Sequence, residues 1–185
     1  MLAAIIVIAA LPIALFGVFL FFFNRLVRLR NKTDNAWHQI GVQLKRRYDL
    51  VPELARVVKG YASHERETLE SATAARSQAI GASSVSEQGP AEDYLTGAVG
   101  SLLALAERYP DLKANQDFLK FAKELSSTEN RIAGARKYYN GALMYYDNAR
   151  QGFPGNIVAH MFAGTFPDRD YFEIRDPEDR QVPEV

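Results

Sequence analysis

The stretch LKRRYDLVPELARVVKGYASHE, residues 44–65, holds the residue types that most invite a chemical reading: a basic cluster at Lys45, Arg46 and Arg47, and an adjacent His64 and Glu65. A His-Glu step opens the zinc motif H-E-x-x-H, which needs a second imidazole four residues on so that both share one helical face. Position 68 is threonine, so the motif is incomplete. A di-iron bundle uses paired Glu-x-x-His steps, but Asn35, Tyr61 and Ile157 stand three residues before His38, His64 and His160. His64 with Glu67 would supply only two ligands, too few for a metal site. Phosphate-loop, dinucleotide, nucleophile-elbow and Ser-x-x-Lys patterns do not occur. With no cysteine in the chain, thiol nucleophiles, disulfides and Cys-bound zinc are excluded. The expectation is no catalytic residue, no metal and no cofactor. His64 reads as a partly exposed residue hydrogen-bonding a neighbouring helix, and a Glu- or Tyr-based enzyme site stays as the third reading.

A second cluster lies in SSTENRIAGARKYYN, residues 126–140. Thr128, Asn130 and Arg131 border the apolar seam of a long helical pattern. Asn130 can bridge two helices, and Arg131 or Arg136 can meet Glu53, Glu65 or Glu70. With Tyr138, Tyr139, Tyr145 and Tyr146 the block could form a recognition patch. The favoured reading is a polar layer that sets register in a bundle core at some expense of stability.

The elements that carry these residues read as helices throughout. Thr33, Ala36, Trp37, Ile40, Leu44 and Tyr48 fall mostly at 3/4 spacing, one face of a helix. Pro52 has no amide hydrogen and its ring strikes the carbonyl of Tyr48, so a helix end or fixed kink is expected near residues 48–52, with Asp49 capping a new start. The pattern resumes from Leu54 to Ala79. IGASSVSEQGP, residues 80–90, reads as a loop, and a shorter helix spans about residues 92–107. Pro110 stops it, and a long pattern follows from Leu112 to Ala149, closed by QGFPG near Gly152. Long helices, short connections and no alternating run predict an all-α fold: an antiparallel bundle of three to four long helices. NIVAHMFAGTF would add a short amphipathic helix, and the acidic end DPEDRQVPEV a disordered tail.

In front of all this, residues 1–23 carry no charged side chain, and fifteen of them are Leu, Ile, Val or Phe. As a helix they reach roughly 34 Å, enough for a hydrocarbon core of about 30 Å. No basic residue precedes the run and no small-x-small cleavage site follows, so an anchor is expected rather than a cleaved signal. Arg25, Arg28, Arg30 and Lys32 come directly after it, and the positive-inside rule leaves everything beyond in the cytoplasm with the N-terminus outside. Residues 1–60 hold nine Lys/Arg against three Asp/Glu and the remainder thirteen against nineteen, so a chain of formal net charge +0 is about +6 in one part and −6 in the other. That basic block beside an apolar span points to anionic headgroups and not to nucleic acid. The expected organisation is a transmembrane anchor over 1–23, a helical bundle domain over 24–152, a packing segment over 153–174 and a tail over 175–185.

Three stretches taken together resemble the LemA family of bacterial proteins: NAWHQIGVQLKRRYDLVPELARVVKGYASHE, then YPDLKANQDFLKFAKELSSTENRIAGARKYYN, then FP at 153–154 with DYFE at 170–173. The resemblance covers roughly residues 24–174. Gly41 stands where that family more often has Asp, and Tyr48 where it often has His, which weakens any acid-base role at position 48. The resemblance implies a membrane-tethered, cytoplasm-facing helical bundle without an established enzymatic activity, and brings no catalytic residue to carry over.

Two non-enzymatic functions follow as expectations. The first is a scaffold or adaptor at the bacterial inner membrane, a single-pass protein offering its bundle to protein partners in envelope maintenance. The second is an anionic-lipid-binding or membrane-shaping module built on the basic stretch Arg25 to Lys59. Self-association as a homo-oligomer is compatible with both and with the enzyme reading.

Overall fold

A computed structural model describes residues 2–173, with side chains described from residue 10 onward. The tail expected over 175–185 lies outside the described residues. Every regular element among them is helical: α1 (Leu2–Tyr61), α2 (Arg66–Gly81), α3 (Val85–Ala104) followed by a 3-10 turn (Leu105–Glu107), α4 (Pro110–Lys113), α5 (Gln116–Gln151) and α6 (Gly155–Met161). The all-α architecture is thus a leading apolar helix that runs on into a bundle of long helices.

The apolar run is the first part of α1. Leu11, Ile13, Leu15, Phe16 and Phe21 are all exposed, on every side of the helix. A helix apolar all round must be buried in protein or in lipid, and only 6% of this stretch is buried by protein. The helix then continues without interruption into residues that are packed, beginning at Leu26.

Pro52 does not end α1, so the helix end that was one of the two expected outcomes at 48–52 does not occur; the helix continues to Tyr61 and breaks at Ala62–Glu65. The carbonyl of Tyr48, which loses its usual amide partner at Pro52, instead accepts a hydrogen bond from Arg76 Nε at 2.6 Å. Arg76 on α2 therefore replaces the missing rung, and the helix survives its proline. Asp49 caps nothing: it pairs with Lys45 at 2.9 Å. Arg76→Ala should lower stability by about 1.5–3 kcal/mol, the range for a hydrogen bond that involves a charged group. In a Pro52→Ala background, where the Tyr48 carbonyl regains an amide, the same change should cost clearly less in urea or thermal titrations.

The expected loop at 80–90 is likewise mostly helix. Ser84 caps α3 by accepting from the amide of Glu87 at 3.2 Å, while the Glu87 carboxylate takes the amide of Ser83 at 2.9 Å. This Ser-x-x-Glu capping box starts the helix before the glycine and proline that follow. Ser84→Ala should cost about 1 kcal/mol. The last long helix starts later than the expected Leu112, because the side chain of Asn115 accepts from the amide of Phe118 at 2.9 Å and caps α5.

The backbone divides into two compact units, to which α1 and α5 both contribute: residues up to His38 with Tyr138–Arg169, and Gln39–Lys137 with the chain from Asp170 onward. In the first, Trp37 packs tilted against Tyr139 of α5 with ring centroids 5.3 Å apart, and Arg169 pairs with Asp34 at 2.6 Å. The Tyr146 hydroxyl donates to the carbonyl of Pro167 at 2.9 Å. The second unit packs α1, α2, α3 and α5 around Val51, Leu54, Val58, Leu95 and Leu102, with Ala72, Ala75 and Ala79 letting α2 approach closely. Here residues 171–173 fold against α3. A Cβ on Gly89 would fall 2.1 Å from the carbonyl oxygen of Glu173, and Phe172 is buried. Gly89→Ala must therefore displace the backbone of one of them.

Candidate functional site

The most unusual chemistry of the second unit is a charged layer inside its core. Arg47 of α1 lies at a position that the 3/4 pattern Ile40, Leu44, Val51, Leu54, Val58 would give to an apolar residue, and Glu92 of α3 takes the matching place in a row with Leu95, Val99 and Leu102. Their side chains are 3% and 0% exposed and meet at 2.9 Å. Arg47 also donates to Thr96 at 2.7 Å and pairs with Glu129 of α5 at 3.0 Å. The other oxygen of Glu92 accepts from the Tyr48 hydroxyl and, at 3.0 Å, from the Gln88 amide, which also donates to the Tyr48 oxygen at 2.8 Å and to the Ala79 carbonyl of α2 at 3.2 Å. All four long helices are thus joined in one network, and each carboxylate oxygen of Glu92 has a donor.

Burial pushes the Glu92 carboxyl above the usual carboxylate range, while donation from Tyr48, the charge of Arg47 and donation from Gln88 pull it back. The Tyr48 phenol is held far above its ordinary range, first by burial and then by its bond to Glu92. It is a fixed donor at any physiological pH. A network with every member satisfied disfavours any helix register that would strand a charge in the core.

The sequence-predicted residues fall into different places. Of the basic cluster, Arg47 is buried in this layer, Lys45 pairs with Asp49, and Arg46 reaches Glu124 at 3.5 Å. His64 stands exposed in the turn between α1 and α2. Beside it, Glu65 accepts from the Tyr109 hydroxyl at 3.1 Å and pairs with Arg108 at 3.1 Å, which ties that turn to the chain after α3. Thr128 is buried and donates to the Glu124 carbonyl at 2.8 Å. Asn130 and Arg131 are exposed, Arg136 is half-buried, and Tyr139 is buried in the first unit against Trp37. Glu53 takes Arg56 and not Arg131. Besides Arg47, the layer therefore uses Tyr48, which the sequence places on the apolar face of α1, and Gln88, Glu92, Thr96 and Glu129, which the sequence reading did not single out. Glu92 within an apolar 3/4 row was the available signal.

On the outside of the second unit, α1 and α2 border a groove of about 950 Å³. Ala55 and Leu69 are among its apolar lining residues, with Pro52, Arg56, Lys59, Arg66 and Glu70 also lining it. Among the described residues no group of three or more His, Asp or Glu side chains is placed to hold a metal.

An apolar leading helix that protein leaves uncovered, continuous with a helical body whose core carries a charged layer, fits a membrane-associated helical-bundle protein. The chain belongs to the LemA family, whose model matches residues 36–185. Protein LemA of Metamycoplasma hominis is 31% identical over 149 residues, covering 77% of this chain and 68% of that protein. Magnetosome proteins MamQ 1 and MamQ 2 of Paramagnetospirillum magneticum are each 22% identical over 206 residues, covering 97% of this chain and 75% of theirs.

Proposed function

We propose that the protein is a non-enzymatic adaptor held in the bacterial inner membrane, with its helical body in the cytoplasm and protein partners bound along the groove between α1 and α2. The groove carries this reading: it offers an apolar strip with a mixed-charge rim, the surface chemistry of a helix-binding groove. A body whose core is keyed by Arg47 and Glu92 presents that groove in one fixed register. LemA family membership and the apolar leading helix support the membrane location, and envelope maintenance is the process we propose for it.

A photoactivatable phenylalanine analogue at Leu69 should give discrete adducts in living cells, and the same probe at Lys123 should not. Indistinguishable adduct patterns at the two positions would rule out the groove as the docking face. An adduct at twice the chain's mass would identify the partner as a second copy.

The lipid-headgroup reading keeps a narrower footing. Arg47, Arg46, Lys45 and Arg56 are engaged with carboxylates, whereas Arg25, Arg28 and Lys32 are exposed and have no carboxylate partner among the described residues. That leaves chiefly the basic collar directly after the span, with Lys59 at the far end of the stretch, for anionic lipid. Its contribution should weaken with added salt, as headgroup attraction does.

A further inference from the structure

The chain from Gln151 to Pro167 contains no Lys, Arg, Asp or Glu, yet much of it faces outward. Phe153 is 82% exposed, Met161 66% and Ile157 51%, with Phe162 also exposed. Ile157 and Met161 are one helical turn apart on the outer face of α6, while Val158 and Ala159 are buried on its inner face. An uncharged element with this many exposed large apolar groups is a poor water-facing surface.

Its depth is fixed by the first unit's own packing. The Phe162 ring meets Phe19 at 6.0 Å and Phe23 at 5.3 Å, and Phe166 meets Phe23 at 5.4 Å. Phe19 and Phe23 belong to the last turn of the apolar run, so Phe162 sits within about 6 Å, one helical turn, of the point where the span ends. That matches the insertion depth of about 5–10 Å for an interfacial apolar face. Arg30 of α1 donates to the Thr165 carbonyl at 3.1 Å and holds the segment beside the basic collar, where headgroups begin.

We propose that α6, with Phe153 and Phe162, is a second membrane contact, lying in the interface beside the exit of the span and inserting Phe153, Ile157, Met161 and Phe162 among the lipid tails near the headgroups. The occupant of this exposed face is the bilayer and not a protein partner. The proposal rests on the leading part of α1 being a membrane anchor. Two contacts, one spanning and one lying flat, would limit how the first unit tilts and rotates about the span.

The native chain has no cysteine, so Met161→Cys and Ile13→Cys each give one site for an environment-sensitive nitrobenzoxadiazole label in the full-length protein, reconstituted in phosphatidylethanolamine/phosphatidylglycerol vesicles. Nitroxide placed high on the lipid tails should reduce the Met161 label's emission by about twofold or more, as expected for a shallow apolar face. Deep-placed nitroxide should act mainly on Ile13. Should the Met161 label fold poorly, Ile157→Cys reports the same face. A Met161 label insensitive to lipid nitroxide while Ile13 is quenched overturns the proposal and leaves the anchor standing. If that label is also shielded from aqueous iodide, a second copy or another protein covers the face. If Ile13 itself is unquenched, anchor and proposal fall together.

Discussion

Arg47→Met should lower the stability of the full-length chain in detergent micelles by about 3–5 kcal/mol at pH 8, the penalty for leaving one member of a buried ion pair alone. Glu92 would then be a carboxylate with no exposed side-chain surface and only Tyr48 and Gln88 as donors. The defect should depend on pH with a definite sign. Burial raises the Glu92 pKa in the folded state, and removing Arg47 raises it further. A carboxyl whose folded pKa lies above its unfolded value carries no penalty while both states are protonated. Folding loses stability as pH rises from the ordinary carboxylate pKa, near 4.5, through the elevated one. The variant should therefore approach the parent near pH 4.5 and fall away toward pH 8. Adding Glu92→Leu should restore most of the loss, because a pair replaced by apolar groups is often neutral. Thermal unfolding followed by helical circular dichroism measures both, with about 2–4 °C of midpoint per kcal/mol expected at this size. A flat pH response in Arg47→Met would mean that Glu92 is not the stranded charge.

Deleting residues 2–23 should move the protein from a membrane pellet that resists alkaline carbonate to a fraction that carbonate releases. Fifteen Leu, Ile, Val and Phe residues in this run, each favouring insertion by about 0.3–0.6 kcal/mol near the bilayer centre, favour the span by several kcal/mol. Replacing residues 2–17 with an equally apolar Leu/Ala run should keep carbonate resistance, since insertion depends on apolarity and length. Replacing Phe19 and Phe23 by Ala in that chimera should leave it membrane-bound but lower its thermal midpoint, because the rings of Phe162 and Phe166 lose their partners. Carbonate release of the chimera would refute the partition argument.

The span, the helical class and the long α5 were legible because each rests on many residues repeating one property. Points where a single contact overrides a local rule were not legible. Pro52 reads as a break because the rule concerns its own helix, whereas the bond that rescues the Tyr48 carbonyl comes from Arg76 on another helix. The real break, at Ala62–Glu65, carries no proline and no left-handed glycine to announce it. Glycine and proline masked the start of α3, although Ser84 and Glu87 spelled out a capping box before them. A polar layer was expected around Asn130 and Arg131, which are exposed; what that stretch brings to the buried pair is its neighbour Glu129, which meets Arg47. Glu92 was marked only by interrupting an apolar row, and Arg47, noted as part of a basic cluster, interrupts another. A charged residue occupying a seam position is the stronger signal, because burying it unpaired is so unfavourable that its presence requires a partner.

The location of the body decides which molecules the groove can meet, and one labelling experiment addresses it. Ser101 is exposed on α3, and in a chain without cysteine Ser101→Cys is a unique thiol. A membrane-impermeant maleimide applied to intact spheroplasts should leave this site unlabelled, and should label it fully once the membrane is opened. Complete labelling before the membrane is opened would put the body on the outer side and remove the proposed cytoplasmic partners.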